Sequence, residues 1–263
     1  MLIYLVSFFI FVKTFEMHKK VVTPYKNSNL GKKEQVTKMF DEVSSKYDFL
    51  NRILTFGLDI GWRKKVVKLV DKHTKSRKSK KFLDIATGTG DLAIMLAKID
   101  DVKITGLDIS KGMLDVGIKK VKKKQLEHKI DMVLGDSEKL PFADNSFDAI
   151  TVGFGVRNFE NLDIGLQEIH RVLKSNGIFV VLETSQPTKF PMKQFFKFYS
   201  KYVIPTIGGL FSRDKKAYSY LPESAALFPY GKKFNNILIK NGFTIANDNP
   251  VAFGISTIYT ATN

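Results

Sequence analysis

The stretch between residues 82 and 97 combines an apolar run, a glycine turn and helix-like sequence. The apolar run at 82–85 predicts a buried strand, and Gly88 and Gly90 stand in the turn that follows it. Glycine lets the backbone approach a ligand closely, and the N-terminus of a helix presents unpaired N–H groups. This order of elements is therefore typical of a nucleotide site, although short glycine motifs also occur in ordinary tight turns.

A second predicted strand, 102–108, ends in a carboxylate. Asp108 follows the glycines by about twenty residues, where an α/β nucleotide fold places an acid on the ribose hydroxyls. The segment 88–93 formally satisfies the dinucleotide pattern G-x-G-x-x-G/A. However, Asp84 and Asp91 bring negative charge to the glycine turn, which repels a pyrophosphate and suits the cationic groups of S-adenosylmethionine (SAM). The sequence therefore favours SAM over NAD.

The composition excludes several kinds of site. The chain of 263 residues has no cysteine, which rules out disulfides, thiolate zinc sites and cysteine nucleophiles. Its 4 histidines lack metal-ligand spacing, so no metal is expected. The formal net charge of +16 suggests an anionic partner such as a membrane or nucleic acid. Because lysine supplies nearly all of this charge and is poor at bidentate recognition, no specific nucleic acid is expected.

Strands that alternate with helices predict one doubly wound α/β domain over 34–263. The predicted strands lie at 82–85, 102–108, 130–134, 147–152, 178–183, 243–246 and 255–260. Residues 34–80 predict a helical cap, and 187–228 predict a helical insertion because their two aromatic clusters break the α/β rhythm. Residues 1–33 are expected to be an apolar leader, too short to span a bilayer, and a mobile basic tail.

Three further segments carry polar groups that could face a cofactor or an acceptor. Asp136 and Ser137 follow the third predicted strand, where ligands of open α/β sheets bind, so they could hydrogen-bond an adenine edge or cap a helix. The loop from Gly153 follows the fourth strand and should lie beside the glycine turn. In the cap, Tyr47, Asp48 and Asn51 could face the acceptor.

The aromatic insertion has two interpretations. It is either a hydrophobic packing element or an apolar acceptor channel open to a membrane surface. In the second case Lys193, Lys197 and Lys201 would lie near anionic head groups.

Taken together, these motifs resemble those of the ubiquinone/menaquinone biosynthesis C-methyltransferase family, from about residue 33 to 260. The resemblance rests on Tyr47-Asp48-x-Leu50-Asn51 with Trp62, Asp84-x-x-x-Gly88-Thr89-Gly90-Asp91, Leu140-Pro141-Phe142, Phe154-Gly155-Val156-Arg157-Asn158, Arg171-Val172-Leu173-Lys174 with Gly177, Glu183-x-Ser185, and Tyr220-Leu221-Pro222-x-Ser224. A set of motifs in this order is far more specific than any one of them.

The resemblance implies the class I SAM-dependent methyltransferase fold, a Rossmann-like, mostly parallel sheet of seven strands with an antiparallel edge. It implies SAM as the cofactor, bound by Asp84, Gly88, Thr89, Gly90, Asp108, Asp136, Ser137 and Gly153. Some family members carry serine where Gly153 stands, so a side-chain contact is not expected at that position.

The implied reaction is transfer of the SAM methyl group to a ring carbon of a prenylated quinol. Arg157 would stabilise the developing quinolate oxygen, and Tyr47, Asp48 or an ordered water would manage the proton. Asn51, Asn158 and Tyr220 would contact the acceptor.

Resemblance in two segments, 23–26 and 153–155, favours conversion of demethylmenaquinol to menaquinol. The ubiquinone precursor is the alternative acceptor, and a SAM-dependent nucleic-acid-modifying protein, an NAD oxidoreductase and a non-catalytic scaffold are more distant alternatives. The expected location is cytoplasmic, with peripheral contact at the inner face of the membrane and a homodimer as further expectations.

Overall fold

The computed structural model describes residues 22–204, 206 and 215–263. Its strands form one seven-stranded sheet in the order β3-β2-β1-β4-β5-β7-β6. The strands are β1 (Lys80–Ile85), β2 (Val102–Asp108), β3 (Ile130–Leu134), β4 (Phe147–Gly153), β5 (Leu173–Thr184), β6 (Ile245–Val251) and β7 (Ser256–Thr262). β1 to β5 are parallel, and β7 runs antiparallel to both β5 and β6. The predicted sheet is therefore confirmed, including its antiparallel edge.

Helices cover both faces of this sheet. They are α1 (Lys32–Val43), α2 (Tyr47–Leu54), α3 (Leu58–Thr74), α4 (Asp91–Leu96), α5 (Lys111–Lys123), α6 (Leu162–Val172), α7 (Met192–Phe198), α8 (Lys215–Leu227) and α9 (Lys232–Lys240). One apolar cluster includes Leu83 and Phe179 and packs under α6 and α9, while another includes Phe82 and Val180 and packs under α3 and α4. Neighbouring residues of a strand point to opposite faces, so the central strands are apolar on both sides.

The fifth strand begins five residues earlier than its apolar run predicts. β5 starts at Leu173, and Phe147 pairs with Leu173 whereas Ala149 pairs with Ile178. Asn176 has a positive φ of 59° inside this irregularity. The strand therefore carries a bulge-like irregularity before Ile178.

The N-terminal cap packs across the ends of the central strands. The described part of the predicted basic tail, 22–31, packs against α1, where the Tyr25 amide donates to Gln35 at 2.9 Å and the Gln35 side chain donates to the Leu30 carbonyl at 2.7 Å. The apolar leader at 1–12 lies outside the described residues. Helix α1 therefore has a defined lead-in from Val22 onward.

The predicted insertion meets the cap over the sheet. Helix α7 continues as a π-helical turn, Tyr199–Val203, and Tyr199 donates a hydrogen bond of 2.8 Å to the carbonyl of Leu54 at the end of α2. Part of the insertion, including 207–214, lies outside the described residues. Among the helices of the described residues, none has the length and apolar character needed to cross a bilayer.

Candidate active site

A cavity lies at the carboxyl ends of β1, β2 and β4. Its floor is the turn after β1, in which Gly88 and Gly90 both have positive φ, 57° and 78°. Nothing lies within 4 Å of the position that a Cβ atom would take on Gly88, so this backbone faces open space. A Cβ atom on Gly90 would instead lie 3.4 Å from Met132, because Gly90 packs where α4 begins. Gly88 therefore borders the cavity, and Gly90 shapes the turn behind it.

Asp108 ends β2 at the wall of this cavity. Its carboxylate accepts the Gly88 amide at 2.7 Å and the Ser110 amide at 2.8 Å. Burial raises the pKa of Asp108 to about 6, and these backbone donors oppose that rise. The carboxylate thus joins the glycine turn to the end of β2, and it lines the cavity as the sequence predicts for a ribose-binding acid.

Asp136 and Ser137 line the same cavity after β3. One oxygen of Asp136 accepts the Glu138 amide at 2.9 Å, and the other accepts the Lys33 ammonium at 2.7 Å. Lys33 lies on α1, so this ion pair holds the cap against the rim of the cavity. Gly153 lines the cavity from the end of β4.

Asp84 lies beneath the glycine turn rather than in the cavity wall. Its two carboxylate oxygens accept the hydroxyls of Thr87 and Thr151, each at 2.6 Å. Burial raises the pKa of Asp84 to about 6, and the two hydroxyl donors lower it. Asp84 therefore holds the turn and β4 together, while the lining residues face the ligand space.

Thr89, predicted to bind SAM, and Asp48, predicted to manage the proton, are hydrogen-bonded to each other. Thr89 donates to Asp48 at 2.6 Å, and the ammonium group of Lys120 donates to Asp48 at 2.7 Å and also to Asp91. Arg52 pairs with Asp91 at 3.0 Å. This latch, made of Asp48, Arg52, Thr89, Asp91 and Lys120, ties α2 to the glycine turn and α5. Thr89 and Asp48 line neither the cavity nor the groove described next.

A larger groove adjoins the cavity between the cap and the insertion. Most of its lining is apolar and comes from the end of α2, from α3, from α7 and from the loop before β7. Its lining includes Leu54, Phe56, Leu58, Trp62, Met192, Phe195, Phe196, Leu221, Ala225 and Phe253. Tyr47 and Phe154 line both spaces. These two side chains therefore mark the place where the contents of cavity and groove could meet.

Tyr47 is hydrogen-bonded at this junction. Burial raises the pKa of Tyr47, against opposing effects from its hydrogen bond with the Asn51 side chain and from the charge of Arg157. Its phenol group is consequently protonated at neutral pH. Asn51 lines the groove, as predicted for an acceptor contact.

Arg157 is a buried cation beside the junction, as is Arg63, and it lines the groove with 7% of its side chain exposed. Its guanidinium donates to Glu183 at 2.7 Å and to the carbonyl of Phe154 at 2.8 Å. Its Nε atom is buried without a hydrogen-bond partner among the described residues. Glu183 is wholly buried and also accepts the amide of Thr184 at 2.7 Å. The charge of Glu183 raises the pKa of Arg157, although burial lowers it, so a fixed guanidinium lies at the groove wall.

Asn158 and Tyr220 form a pair on the cavity side. The hydroxyl of Tyr220 donates to Asn158 at 3.0 Å, and Asn158 lines the cavity. Tyr220 is only 1% exposed and packs in the core of the cap with Met39 and Leu50. It therefore orients Asn158, whereas the sequence predicted that both would contact the acceptor.

A model of the ubiE/COQ5 methyltransferase family matches residues 28–263. The chain belongs to this family. The demethylmenaquinone methyltransferase of Bacteroides fragilis is 48% identical over 92% of this chain and 97% of the relative. The enzyme of that name from Porphyromonas gingivalis is 40% identical over 90% and 96%. The ubiquinone/menaquinone biosynthesis C-methyltransferase UbiE of Geotalea daltonii is 42% identical over 87% and 96%.

Solved structures with the same architecture are more distant in sequence. A SAM-dependent methyltransferase from Aquifex aeolicus superposes with a TM-score of 0.53 at 18% identity, covering 74% of this chain and 88% of that one. The [4+2]-cyclase SpnF superposes with a TM-score of 0.58 at 17% identity, covering 89% and 97%. At such identities the likeness establishes the fold, and the family match establishes a methyltransferase that uses SAM.

The residues of the cavity fit the cofactor of the ubiE/COQ5 family. Open space over Gly88 leaves room for close backbone contact, and Asp108 presents a carboxylate where ribose hydroxyls could donate. Asp136 and Ser137 supply polar groups on the other side. The acidic lining also suits a ligand that carries an amino group and a sulfonium.

Three residues that pair with predicted ones, Lys33, Lys120 and Glu183, were not among the predicted site residues. Lys33 falls in the predicted tail and Lys120 in none of the predicted site segments, yet Lys33 pairs with Asp136 of the cavity and Lys120 with Asp48 of the latch. Glu183 appeared only within a motif, although it binds Arg157. For Lys120, its place between Asp48 and Asp91 depends on three-dimensional packing, so no local signal could have revealed it. For Glu183, an acid at the end of an otherwise apolar strand was the available signal.

Proposed function

We propose that this chain transfers the SAM methyl group to a ring carbon of demethylmenaquinol and so forms menaquinol. The observation that carries the proposal is the junction at Tyr47 and Phe154, where the cofactor cavity opens beside an apolar groove with a fixed guanidinium. A prenylated quinol needs this combination, because its tail is apolar and its ring develops anionic charge during C-methylation. The names of the Bacteroides and Porphyromonas relatives support the acceptor class.

The cofactor is held by backbone and carboxylates of the cavity. Gly88, Asp108, Asp136 and Ser137 would hold it, and Asp84 supports the turn from below. When bound, SAM supplies an electrophilic methyl group on a sulfonium. The cap covers the cavity through Lys33 and the latch, and this arrangement limits water at the reacting centre.

Arg157 stabilises the quinolate oxygen in this proposal. Its charge lies in a buried, low-dielectric wall, where interaction with an anion is stronger than in water. Glu183 and the Phe154 carbonyl hold the guanidinium in place, so little reorganisation is needed when the acceptor loses a proton. Glu183 thus positions Arg157 without lining the groove.

The proton of the quinol is handled at the Tyr47 end of the junction. Tyr47 is protonated at neutral pH, so it orients the quinol oxygen by hydrogen bonding rather than acting as a base. Asp48 is poorly suited to accept the proton, because Thr89 and Lys120 occupy its oxygens. Of the three candidates for handling the proton that were considered from the sequence, an ordered water at the junction fits these contacts best.

Peripheral contact with a membrane forms part of the same proposal, since a prenylated acceptor resides in the bilayer. The expected homodimer stays a prediction. The 42% identical Geotalea relative, named for both quinones, keeps the demethylated ubiquinol precursor as the second candidate acceptor.

The deciding experiment measures methyl transfer from labelled SAM by the full chain in detergent. Reduced demethylmenaquinone and the reduced ubiquinone precursor are offered in parallel, with the oxidised quinones as matched controls. Label in menaquinol alone is the expected result, and label in both reduced acceptors would broaden the acceptor class. Binding of SAM without label in either quinol would contradict the proposal.

A further inference from the structure

Exposed aromatic side chains lie on the segment beside the groove and in its lining. Phe190 and Phe253 are 81% and 82% exposed, and Phe195, Phe198 and Tyr202 are each more than half exposed. Isolated exposed aromatics are common on soluble proteins, but four of them within the short segment 190–202 mark an interaction surface.

Lysines form a stripe along the segment that carries most of these aromatic side chains. Lys193, Lys197 and Lys201 recur every four residues along α7 and the π-helical turn, so they lie along one side of it, and Lys189 precedes them. Between residues 186 and 204 there is no aspartate or glutamate. Within the described part of the chain, no carboxylate lies within ion-pair distance of these four ammonium groups, unlike those of Lys33 and Lys120.

The opposite side of this segment anchors it to the cap. Tyr199 is buried, bonds the Leu54 carbonyl and packs against Phe56 with ring centroids 6.0 Å apart. The segment therefore faces inward through Tyr199 and outward through its exposed aromatic side chains and its lysines. An interfacial helix on a lipid surface has this division, with aromatic groups entering the head-group region and lysines meeting anionic head groups.

We infer that residues 189–202 form a docking face for a bilayer containing anionic lipids, with the mouth of the groove held against the membrane. This inference rests on the proposed function, because the groove would receive the prenylated acceptor laterally from the bilayer. The unpaired positive charge is complementary to anionic lipid, and the face is continuous with the lining of the groove through Lys193, Phe195 and Lys197. A lysine-rich surface such as α3 has the charge without the aromatic cluster, so charge alone does not select this face.

The inference is tested by flotation of the full chain with phosphatidylcholine vesicles, with and without phosphatidylglycerol. The variant Lys193→Gln/Lys197→Gln/Lys201→Gln should bind the anionic vesicles about a hundredfold more weakly at low salt. The matched control, Lys119→Gln/Lys122→Gln/Lys123→Gln on α5, removes equal charge from exposed positions that line neither the cavity nor the groove. The control should bind like the parent chain.

A second variant separates docking from catalysis. Phe190, Phe198 and Tyr202 are exposed and do not line the groove, so Phe190→Ser/Phe198→Ser/Tyr202→Ser should lose vesicle binding. It should retain methyl transfer to a short-chain quinol in detergent and lose transfer to a long-chain quinol embedded in vesicles. If the parent chain binds anionic vesicles and these variants lose that binding, the docking face is supported even when no quinol is methylated. Absence of methyl transfer to every quinol would reject only the proposed function.

Three outcomes would overturn the docking face. Undiminished vesicle binding by both variants would assign attachment to another part of the chain, such as the apolar residues 1–12. Equal losses in the α5 control would indicate a non-specific charge effect. A change in oligomeric mass of the variants with vesicle binding intact would identify the face as a contact between two copies of the chain.

Discussion

The cavity and the groove are neighbours that are built differently. The cavity is framed by strand ends and a turn, and its polar groups are fixed by backbone hydrogen bonds, as in the contact of Gly88 with Asp108. The groove is framed by side chains from the cap, the insertion and the loop before β7, and Arg157 supplies a fixed cation in its wall. The first space therefore depends on backbone geometry and the second on side-chain volume.

This difference indicates how strongly ligand recognition in the cavity and in the groove should respond to substitutions. A ligand held by backbone amides and strand-end carboxylates is recognised in a way that few substitutions can alter without disturbing the sheet. An apolar groove tolerates changes of shape more readily, because hydrophobic contacts are non-directional. Substitutions at the cavity should therefore change cofactor affinity, and substitutions around the groove should change turnover or acceptor use.

The largest effect is expected at Arg157. Arg157→Ala should lower kcat by about 100- to 1000-fold, the usual loss when one donor to a developing oxyanion is removed. The Kd for SAM should stay near that of the parent, since Arg157 lines the groove and not the cavity. Single-turnover kinetics and calorimetry measure the two quantities.

Removal of Arg157 also leaves Glu183 buried without its cation, which threatens folding. The double variant Arg157→Ala/Glu183→Gln removes both charges and serves as the folded comparison. If the double variant turned over like the parent, or lost SAM affinity and kcat equally, the separate role of Arg157 would be rejected.

An intermediate effect is expected at Asp108. Asp108→Asn should weaken SAM binding by about 10- to 100-fold at pH 7.5, because a charged acceptor is lost. Since the pKa of Asp108 is raised to about 6, the carboxylate protonates as the pH falls through that value, and the Kd of the parent chain should rise with acidification. The Kd of the variant should depend less steeply on pH. The remaining pH dependence would report Asp84, whose pKa is also raised to about 6.

Asp115→Asn is the matched control for this titration, because Asp115 is an exposed partner of Lys111 on α5. It should leave the affinity for SAM and its pH dependence unchanged. A pH dependence of binding that is the same in Asp108→Asn and the parent chain would contradict the assignment.

The smallest effect is expected at Lys120, which connects the two regions through the latch. Lys120→Met should lower the free energy of unfolding by only about 1 kcal/mol, because the ion pairs are partly solvated. Hydrogen exchange in α2 should nevertheless accelerate, and SAM should dissociate several-fold faster. Lys122→Met, on an exposed position of α5, should change neither rate. Unchanged exchange in α2 of the Lys120 variant would show that the latch does not hold the cap.

Much of the sheet and of the cavity could be predicted from the sequence, because the relevant signals are local. The run ending at Ile85, the glycines after it and Asp108 at the end of β2 are consecutive features, and the bounds of β2 and β3 agree with their apolar runs. The bulge in β5 was harder to predict, since its turn residues also fit a loop between elements.

The residues around the groove were harder to predict, because their positions depend on contacts between distant segments. Aromatic composition predicted an insertion, but whether Phe195 lines a groove or fills a core is decided by its packing against the cap. Asp48 matched a motif, yet its carboxylate is paired with the Lys120 ammonium and accepts the Thr89 hydroxyl. Only the fold brings these three residues together. Tyr220 likewise matched a motif while lying behind Asn158.

The shared wall at Tyr47 has a thermodynamic consequence for the two ligands. Tyr47 opens helix α2, and the next residue, Asp48, is tied to the glycine turn by Thr89. In the proposed function, a cofactor that orders the turn also orders the side chain that the acceptor contacts, so the two binding equilibria share one conformational cost. By reciprocity, the factor by which the cofactor tightens the quinol is the factor by which the quinol tightens the cofactor, so the chain favours the ternary complex over either binary one.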